Sequence, residues 1–483
     1  MASAQEISNS DGDLSQYYTL SESDTFGYSS TSIGDLDGDG ATDLVVGAPE
    51  DDDGGDNCGA IYVLFLTSAG TVKIAQKISN SYGDFPVTLD PTIRFGRSVA
   101  SLGDLDGDSV ADLAVGANRD GTSTEGSLYI LFLTTDGLVN SAQKIGNSYG
   151  NFPYVLDDSD YFGISCSSLG DQDGDGTPDL VVGSAQDDDD GSTNAGSIYI
   201  VFLTTSGLVK SAQKVNNLYG SFPYTVARGD RFGFSTAGIG DLDGDGSLDL
   251  VVGSKGEYLC ILFLTTDGIV KSAQKIGDSY GSIPLTPEEG DYFGISVTFM
   301  GDLNEDGVPD LAVGAQGYDN AAGALYILFM TTDGMVNSAE NIGNSYGNFP
   351  YTLDKDDEFG SSTASLEDLD GNGMVDLVVG AGGNVNGGAV YIIFLPSACP
   401  TPTPTTPAPS PLPSRSPTLS FQPSATPSFS LPPTPAPTTD VPSPIPTSVP
   451  TETPRPTTTP THLPTGDGVS DPAFSCCILL LAM

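Results

Sequence analysis

The sequence predicts an all-β fold, a β-propeller of six four-stranded blades followed by a disordered Pro/Thr/Ser-rich stalk. Three observations carry that prediction. The dipeptide Phe-Gly recurs at Phe26, Phe95, Phe162, Phe232, Phe293 and Phe359, at spacings of 61 to 70 residues. An Asp stands nine residues after each Phe and opens a loop dense in Asp and Gly. Each loop leads into short runs rich in Val, Ile, Tyr and Phe and bounded by Gly, Asp and Asn, which is the chemistry of strands and tight turns.

The elements follow in order within each unit. After the loop comes an apolar run such as Leu44-Val45-Val46-Gly47, then a second such as Ile61-Tyr62-Val63-Leu64-Phe65-Leu66. A turn such as Thr135-Asp136-Gly137 leads into Ser141-Ala142-Gln143-Lys144-Ile145. Asp-Gly between two such runs signals a hairpin. With the stretch after Phe-Gly, each unit supplies four strands. One such sheet cannot bury both faces alone, whereas units packed radially bury each other. A linear β-solenoid would have shorter periods, and six separate domains of this size would each lack a core.

The ends of the repeat region sharpen the prediction. Residues Ser3 to Ser10 match the fourth strand of a unit, Ser141 to Ser148, while the sixth unit stops after its third strand at Leu395. The N-terminal strand then completes the last blade and closes the ring without exposed edges. The rival is a truncated seven-bladed ring in which Ser3 to Ile7 is the relic of a lost blade. Pairing of residues 3–7 with 390–395 separates the two.

Composition divides the chain into a propeller over 1–398, a stalk over 399–465 and a short apolar tail over 466–483. Of 34 Pro, 22 fall in the stalk, where missing backbone donors prevent sheet pairing. Its Thr and Ser leave O-glycosylation open. The tail run Ile478-Leu479-Leu480-Leu481 is too short to span a bilayer, so a removable lipid-anchor signal and a truncated span both stay open. The chain carries 64 acidic against 16 basic side chains, a net charge of -48, which excludes nucleic acid as the main partner and repels anionic membranes. Residues 1–398 hold 60 of those acidic and 14 of the basic groups. No Asn-x-Ser/Thr sequon occurs, and the six Cys show no paired spacing. Met1-Ala2-Ser3-Ala4-Gln5 shows no signal peptide, so an extracellular location implies an incomplete N-terminus or an unconventional start.

The acidic loops have the donor pattern of a calcium site. The first reads Asp35, Asp37, Asp39, Ala41 and Asp43 at loop positions 1, 3, 5, 7 and 9, with a Gly at 6 that lets the position-7 carbonyl face the same centre. The second holds Asp104, Asp106, Asp108, Val110 and Asp112; the third, Asp171, Asp173, Asp175, Thr177 and Asp179. The fourth holds Asp241, Asp243, Asp245, Ser247 and Asp249; the fifth, Asp302, Asn304, Asp306, Val308 and Asp310; the sixth, Asp368, Asp370, Asn372, Met374 and Asp376. Such all-oxygen sets suit Ca²⁺, up to six ions, better than Zn²⁺ or a dehydrated Mg²⁺. Asn drops a charge and weakens the last two, and Ser109 in place of the position-6 Gly strains the second. An EF-hand is excluded because position 12 is Val in every copy, from Val46 to Val379.

The run Phe-Gly … Gly-Asp-Leu-Asp-Gly-Asp-Gly-x-x-Asp-Leu-Val-Val-Gly-Ala resembles the FG-GAP repeat, which builds the propeller head of integrin α subunits and related surface proteins. The likeness covers residues 3–395. It implies Ca²⁺ at the six loops, all on one face of the disc, between the first and second strands. The other face then carries Glu50 to Asp53, Asp187 to Asp190 and loops of the Tyr149-to-Asp160 type. Integrin heads have seven repeats with calcium in only some. Six intact loops here, no leg domains and no inserted adhesion domain speak against pairing with an integrin β chain, and the head reads as monomeric.

Other motifs are weighed against the repeat. Gly277 to Gly281, Gly146 to Gly150 and Gly343 to Gly347 spell G-x-S-x-G, but the single His, His462, lies in the stalk and no base is at hand. Arg228-Gly229-Asp230 spells an adhesion tripeptide, although Asp230 occupies the repeat slot of Asp160 and Asp291. Cys58, Cys166 and Cys260 read as small core or loop residues. Tyr149, Phe152, Tyr154, Tyr219, Phe222, Tyr224, Tyr346, Phe349 and Tyr351 either line a repeated ligand groove or pack their loops onto the blades. The expected function is therefore a non-enzymatic, extracellular, calcium-binding adhesion head for a protein ligand. The alternatives are a calcium-dependent lectin with a glycan ligand, and a scaffold propeller derived from a larger enzyme. Irregular loops such as Lys255-Gly256-Glu257 favour one protein-binding patch.

Overall fold

A computed structural model describes residues 3–396 apart from 190, 256–257, 278–286, 289 and 345. The stalk, the tail, most of Gly277 to Gly281 and Gly256-Glu257 lie outside the described residues. Six four-stranded antiparallel sheets form the blades. Blade 1 runs through Ser29–Gly34, Asp43–Ala48, Ala60–Leu66 and Val72–Ile78. Blades 2 to 5 repeat that order from Phe95, Phe162, Ser235 and Phe293. Blade 6 consists of Phe359–Ser365, Leu377–Ala381 and Ala389–Phe394, and Ser3–Ile7 pairs with its last strand from Ser3↔Phe394 to Ile7↔Val390. The ring is therefore six-bladed and closed by the N-terminal strand, and the relic of a seventh blade is ruled out.

Packing explains the composition of each strand. The second and third strands are sandwiched between neighbouring blades, so Asp43–Ala48 and Ala60–Leu66 are buried along their whole length, as are their counterparts except at Phe329. The first strands converge on the axis, where most of the side chains are small. A central cavity of about 260 Å³ is lined from all six blades by residues such as Ser30, Ser101, Ser167, Thr236, Thr298 and Thr363. The outer strands are the least covered, as in Val139–Ile145, which is buried at both ends and exposed or half-buried between them.

The Phe-Gly dipeptide is the joint between blades. The Phe ring packs edge-on against the third-strand Tyr of its own blade, with centroids 5.4 Å apart for Phe26–Tyr62 and 5.7 Å for Phe95–Tyr129. Its backbone N–H reaches the preceding blade, as from Phe95 to the Cys58 carbonyl at 2.9 Å. The Gly carbonyl then accepts a hydrogen bond from a Ser of the preceding blade. Ser29 donates to Gly96 at 2.9 Å, Ser98 to Gly163 at 3.0 Å and Ser165 to Gly233 at 2.9 Å. Ser235 donates to Gly294, Ser296 to Gly360 and Ser362 to Gly27, each at 2.8 Å, which carries the contact round the whole ring. That carbonyl lies against a second-strand Gly, where an added Cβ would stand 1.9 Å from it at Gly183 and 2.1 Å at Gly47.

This joint predicts graded damage. Ser165→Ala leaves the Gly233 carbonyl without its donor and should cost about 1–2 kcal/mol, whereas Gly183→Ala forces a methyl into that carbonyl and should cost about 3 kcal/mol. Urea unfolding of the two variants measures both, and an unperturbed Gly183→Ala would contradict the packing.

Candidate metal centres

Each acidic loop joins the end of a first strand to the start of the second. Antiparallel alternation puts all six on one face, with the third-to-fourth turns. The second-to-third and fourth-to-first loops lie on the other, as expected from the sequence.

Within a loop the carboxylates shape the backbone. Asp35 accepts the N–H groups of Asp39 at 2.9 Å and Gly40 at 2.8 Å, Asp37 that of Asp39 at 3.2 Å, and Asp39 that of Ala41 at 3.0 Å. Gly38 and Gly40 take left-handed φ of 76° and 93° to allow it. The position-5 side chain likewise receives the N–H of Val110, Thr177, Ser247, Val308 and Met374 in the other loops, at 2.8 to 3.0 Å. Ser109 adopts the same left-handed turn at φ 73°, a conformation that costs a side-chain-bearing residue roughly 1 kcal/mol.

Carboxylate oxygens from three residues come within 4.8 Å of one another in five loops. The groups are Asp35/Asp37/Asp39, Asp104/Asp106/Asp108, Asp171/Asp173/Asp179, Asp241/Asp243/Asp245 and Asp368/Asp370/Asp376. In the fifth loop Asn304 replaces a carboxylate and donates to Asp306 at 3.1 Å, while Asp302 accepts the N–H of Asp306 at 2.9 Å and of Gly307 at 2.7 Å.

The position-9 Asp has a second duty that spacing did not reveal. Asp43, Asp112, Asp179, Asp249, Asp310 and Asp376 are 0 to 1 % exposed. In blade 1 one oxygen of Asp43 accepts the N–H of Leu36 and the other that of Leu66, both at 3.0 Å. The same two bonds recur in every blade, ending at Leu395 in blade 6. Each such Asp therefore ties its loop to the end of the third strand. Burial pushes all six carboxyls up to about 6 against those N–H bonds. A carboxylate oxygen carries two lone pairs, so one N–H bond leaves room for a cation.

Sequence reasoning also missed the lysines beside three loops. Lys210 bridges Asp173 at 2.7 Å and Asp175 at 2.6 Å; Lys73 contacts Asp37 at 2.7 Å and also Asp39; Lys271 contacts Asp245. Hydrogen bonding to Lys210 holds Asp175 below the usual carboxylate range. The equivalent residues in blades 2 and 5 are Asn140 and Asn337. Only the alternation of the fourth strand, read with the register, could have placed them.

The opposite face turns part of its acid inward. Tyr62 donates to Asp51 at 2.8 Å and Lys77 pairs with Asp51 and Asp53, each at 2.6 Å. Blade 3 repeats this with Tyr199, Lys214, Asp187 and Asp189, and blade 2 with Tyr129, Lys144 and Asp120. Asp51 and Asp187 are thus buried, although their runs read as surface. Asp230 accepts from Tyr258 at 2.8 Å, which engages the Asp of the Arg-Gly-Asp tripeptide in its blade. Ser148 sits in the hairpin turn where Gly146 and Tyr149 pair, with no nucleophile elbow. Cys58, Cys166 and Cys260 are buried free thiols, and burial pushes Cys166 up to about 12. The loop aromatics split by position. Phe152 and Phe349 pack onto Phe162 and Phe359 at 4.8 and 4.9 Å, while Tyr149, Tyr219 and Tyr346 remain exposed.

A family model described as the FG-GAP repeat matches residues 26–64, 95–131, 232–271, 293–328 and 359–393. The unit at Phe162, outside those matches, has the same four strands. The chain is an FG-GAP repeat protein with an integrin-α-like propeller. It is 34% identical over 185 residues to integrin alpha-3 of Cricetulus griseus, covering 37% of this chain and 16% of that protein. To integrin alpha-PS2 of Drosophila melanogaster it is 29% identical over 278 residues, 54% of this chain and 18% of that one. To the phosphatidylinositol-glycan-specific phospholipase D of Bos taurus it is 30% identical over 192 residues, 38% of this chain and 21% of the enzyme. The matches thus span under a quarter of each relative's length.

The buried acids predict a pH dependence. Burial raises Asp24 to about 6 and Asp160 to about 7, with Asp51 and Asp187 respectively adding repulsion. The folded chain therefore holds these protons after the unfolded chain has released them, so stability falls as pH rises from about 4 to 7. Asp160 contributes on the order of 2–4 kcal/mol of that loss. Urea unfolding at pH 5 and pH 8 in constant calcium should show the fall, and Asp160→Asn should flatten it. Equal slopes for both proteins would contradict the assignment.

Proposed function

We propose that the protein is a calcium-loaded, non-catalytic, integrin-α-like binding head. It works outside the cell or at its surface and takes a protein ligand on the face opposite the calcium loops. The observation that carries this reading is the sixfold repetition of one oxygen-only loop. The side chains at positions 1, 3 and 5, the position-7 carbonyl and a free lone pair at position 9 give Ca²⁺ its six or seven hard donors. Exposed loops without a bidentate Glu fill at millimolar calcium, the level found outside cells. The integrin relatives support a binding role, and the sequence places no His within residues 1–398 to serve the G-x-S-x-G motifs as a base. In sequence the propeller of 1–398 is followed by the stalk of 399–465 and the apolar tail of 466–483.

A glycan ligand is the second reading, supported by two clefts at equivalent places. One of about 370 Å³ includes Asn147 and Tyr149, and one of about 540 Å³ includes Asn344 and Tyr346. Repeated sites give avidity for arrayed sugars.

Calcium binding to the folded chain alone adds about 1.4 kcal/mol per site at ten times Kd. Transfer from 2 mM calcium to EGTA should therefore lower Tm by about 10 °C. An unchanged Tm would refute loaded sites, and a glycan array silent with and without calcium would remove the second reading.

A further inference from the structure

The axial channel opens, at the end where the first strands begin, into a cationic mouth on an otherwise acidic propeller. The residues that follow each Phe-Gly ring this mouth, and they include Tyr28, Arg97 and Phe234. Arg97 is 8 % exposed, its guanidinium carbon 4.1 Å from the Tyr28 ring centroid and 5.4 Å from that of Phe234. It has no ion pair among the described residues.

Four more cations belong to the same electrostatic cluster. Arg94 and Arg231 immediately precede Phe95 and Phe232, in left-handed turns at φ 60° and 54°. Arg119 and Lys255 follow second strands and lie over the Tyr161 and Tyr292 rings at 5.8 and 5.0 Å. The Arg119 Nε is buried with no hydrogen-bond partner. Burial lowers both Arg97 and Lys255, and like charge adds to it, with Arg94 and Arg119 pressing on Arg97 and with Arg231 and Arg97 pressing on Lys255. Among the described residues, Glu50 and Glu358 answer these five cations. Glu50 is paired with Arg94 and also acts on Arg97, and Glu358 acts on Lys255.

Burying a guanidinium without an anion, beside others of its own sign, is costly unless an anion arrives to use it. We propose that this mouth receives one carboxylate from an acidic peptide segment of a protein partner, seated over Arg97 and flanked by Arg119 and Lys255. The inference rests on the reading of this face as the ligand face and names the chemistry it selects. An Arg fork matches a carboxylate in two hydrogen bonds. A long polyanion is disfavoured because Asp52, Asp53, Asp188 and Asp189 lie on the same face, and their field repels any chain of charges that must cross it.

The test uses the full chain in 2 mM calcium with two capped pentapeptides, Gly-Ser-Asp-Gly-Ser and its Asn counterpart, followed by saturation-transfer NMR. The Asp peptide should bind at least tenfold more tightly than the Asn peptide and weaken with added salt. The double variant Arg119→Gln/Lys255→Gln, both on half-buried rim positions, should lose that preference while keeping the wild-type Tm. Arg97→Gln should abolish it, and the rim variant keeps the test decisive if Arg97→Gln fails to fold. Equal binding of both peptides, an unchanged preference in the rim variant, or binding of heparin in place of the Asp peptide would overturn the proposal. A preparation whose Tm still falls with EGTA but which binds no peptide would overturn the carboxylate site and leave the calcium reading standing.

Discussion

The architecture depends on one contact made six times, a Ser hydroxyl and a side-chain-free Gly closing on the carbonyl of the next blade's Phe-Gly. The contact sets how closely blades approach and therefore the radius of the ring. A small radius crowds the innermost strands, which accounts for a channel lining made mostly of Ser, Thr and Ala, with Phe299 the large exception. It also fixes the direction of each first strand, so every loop that follows such a strand opens on the same side. The common face of the acidic loops is thus a consequence of the joint.

Charge is managed differently on the two faces. On the loop face the carboxylates first satisfy backbone N–H groups, and three loops hold a lysine as a local counter-ion. The buried position-9 Asp links each loop to the third strand, so a cation seated there would act on the blade as well as on the turn. On the other face, Tyr and Lys draw several Asp into the interior, and the arginines gather at the axis. Residues 1–398 hold only 14 basic groups, and four of their five Arg belong to the cluster at this opening, a clear departure from a uniform acidic surface.

Repetition made much of this legible in the sequence. The blade count followed from six Phe-Gly dipeptides, and ring closure from the match between Ser3–Ser10 and Ser141–Ser148, because local similarity reports equivalent places in the fold. The loop ligand pattern was legible for the same reason. What was hidden lies between positions far apart in the chain. Ser165 and Gly233 meet only because blades pack, Lys210 reaches Asp173 only through the sheet register, and Arg97 finds Phe234 only across the axis. The inward turn of Asp51 and Asp187 was hidden because an Asp run reads as surface until a buried Tyr and Lys are seen to hold it. The split of the loop aromatics was equally hidden, since Tyr149 and Phe152 differ only in which of them the turn directs toward Phe162.

The central claim is that hard cations complete the oxygen clusters of one face. Native mass spectrometry of the full chain, desalted and then exposed to stepped calcium, counts them directly. The predicted result is successive addition of up to six calcium ions, with the fifth or sixth loop filling sooner once Asn304→Asp or Asn372→Asp restores its missing carboxylate charge. A mass that stays metal-free at millimolar calcium would contradict the account.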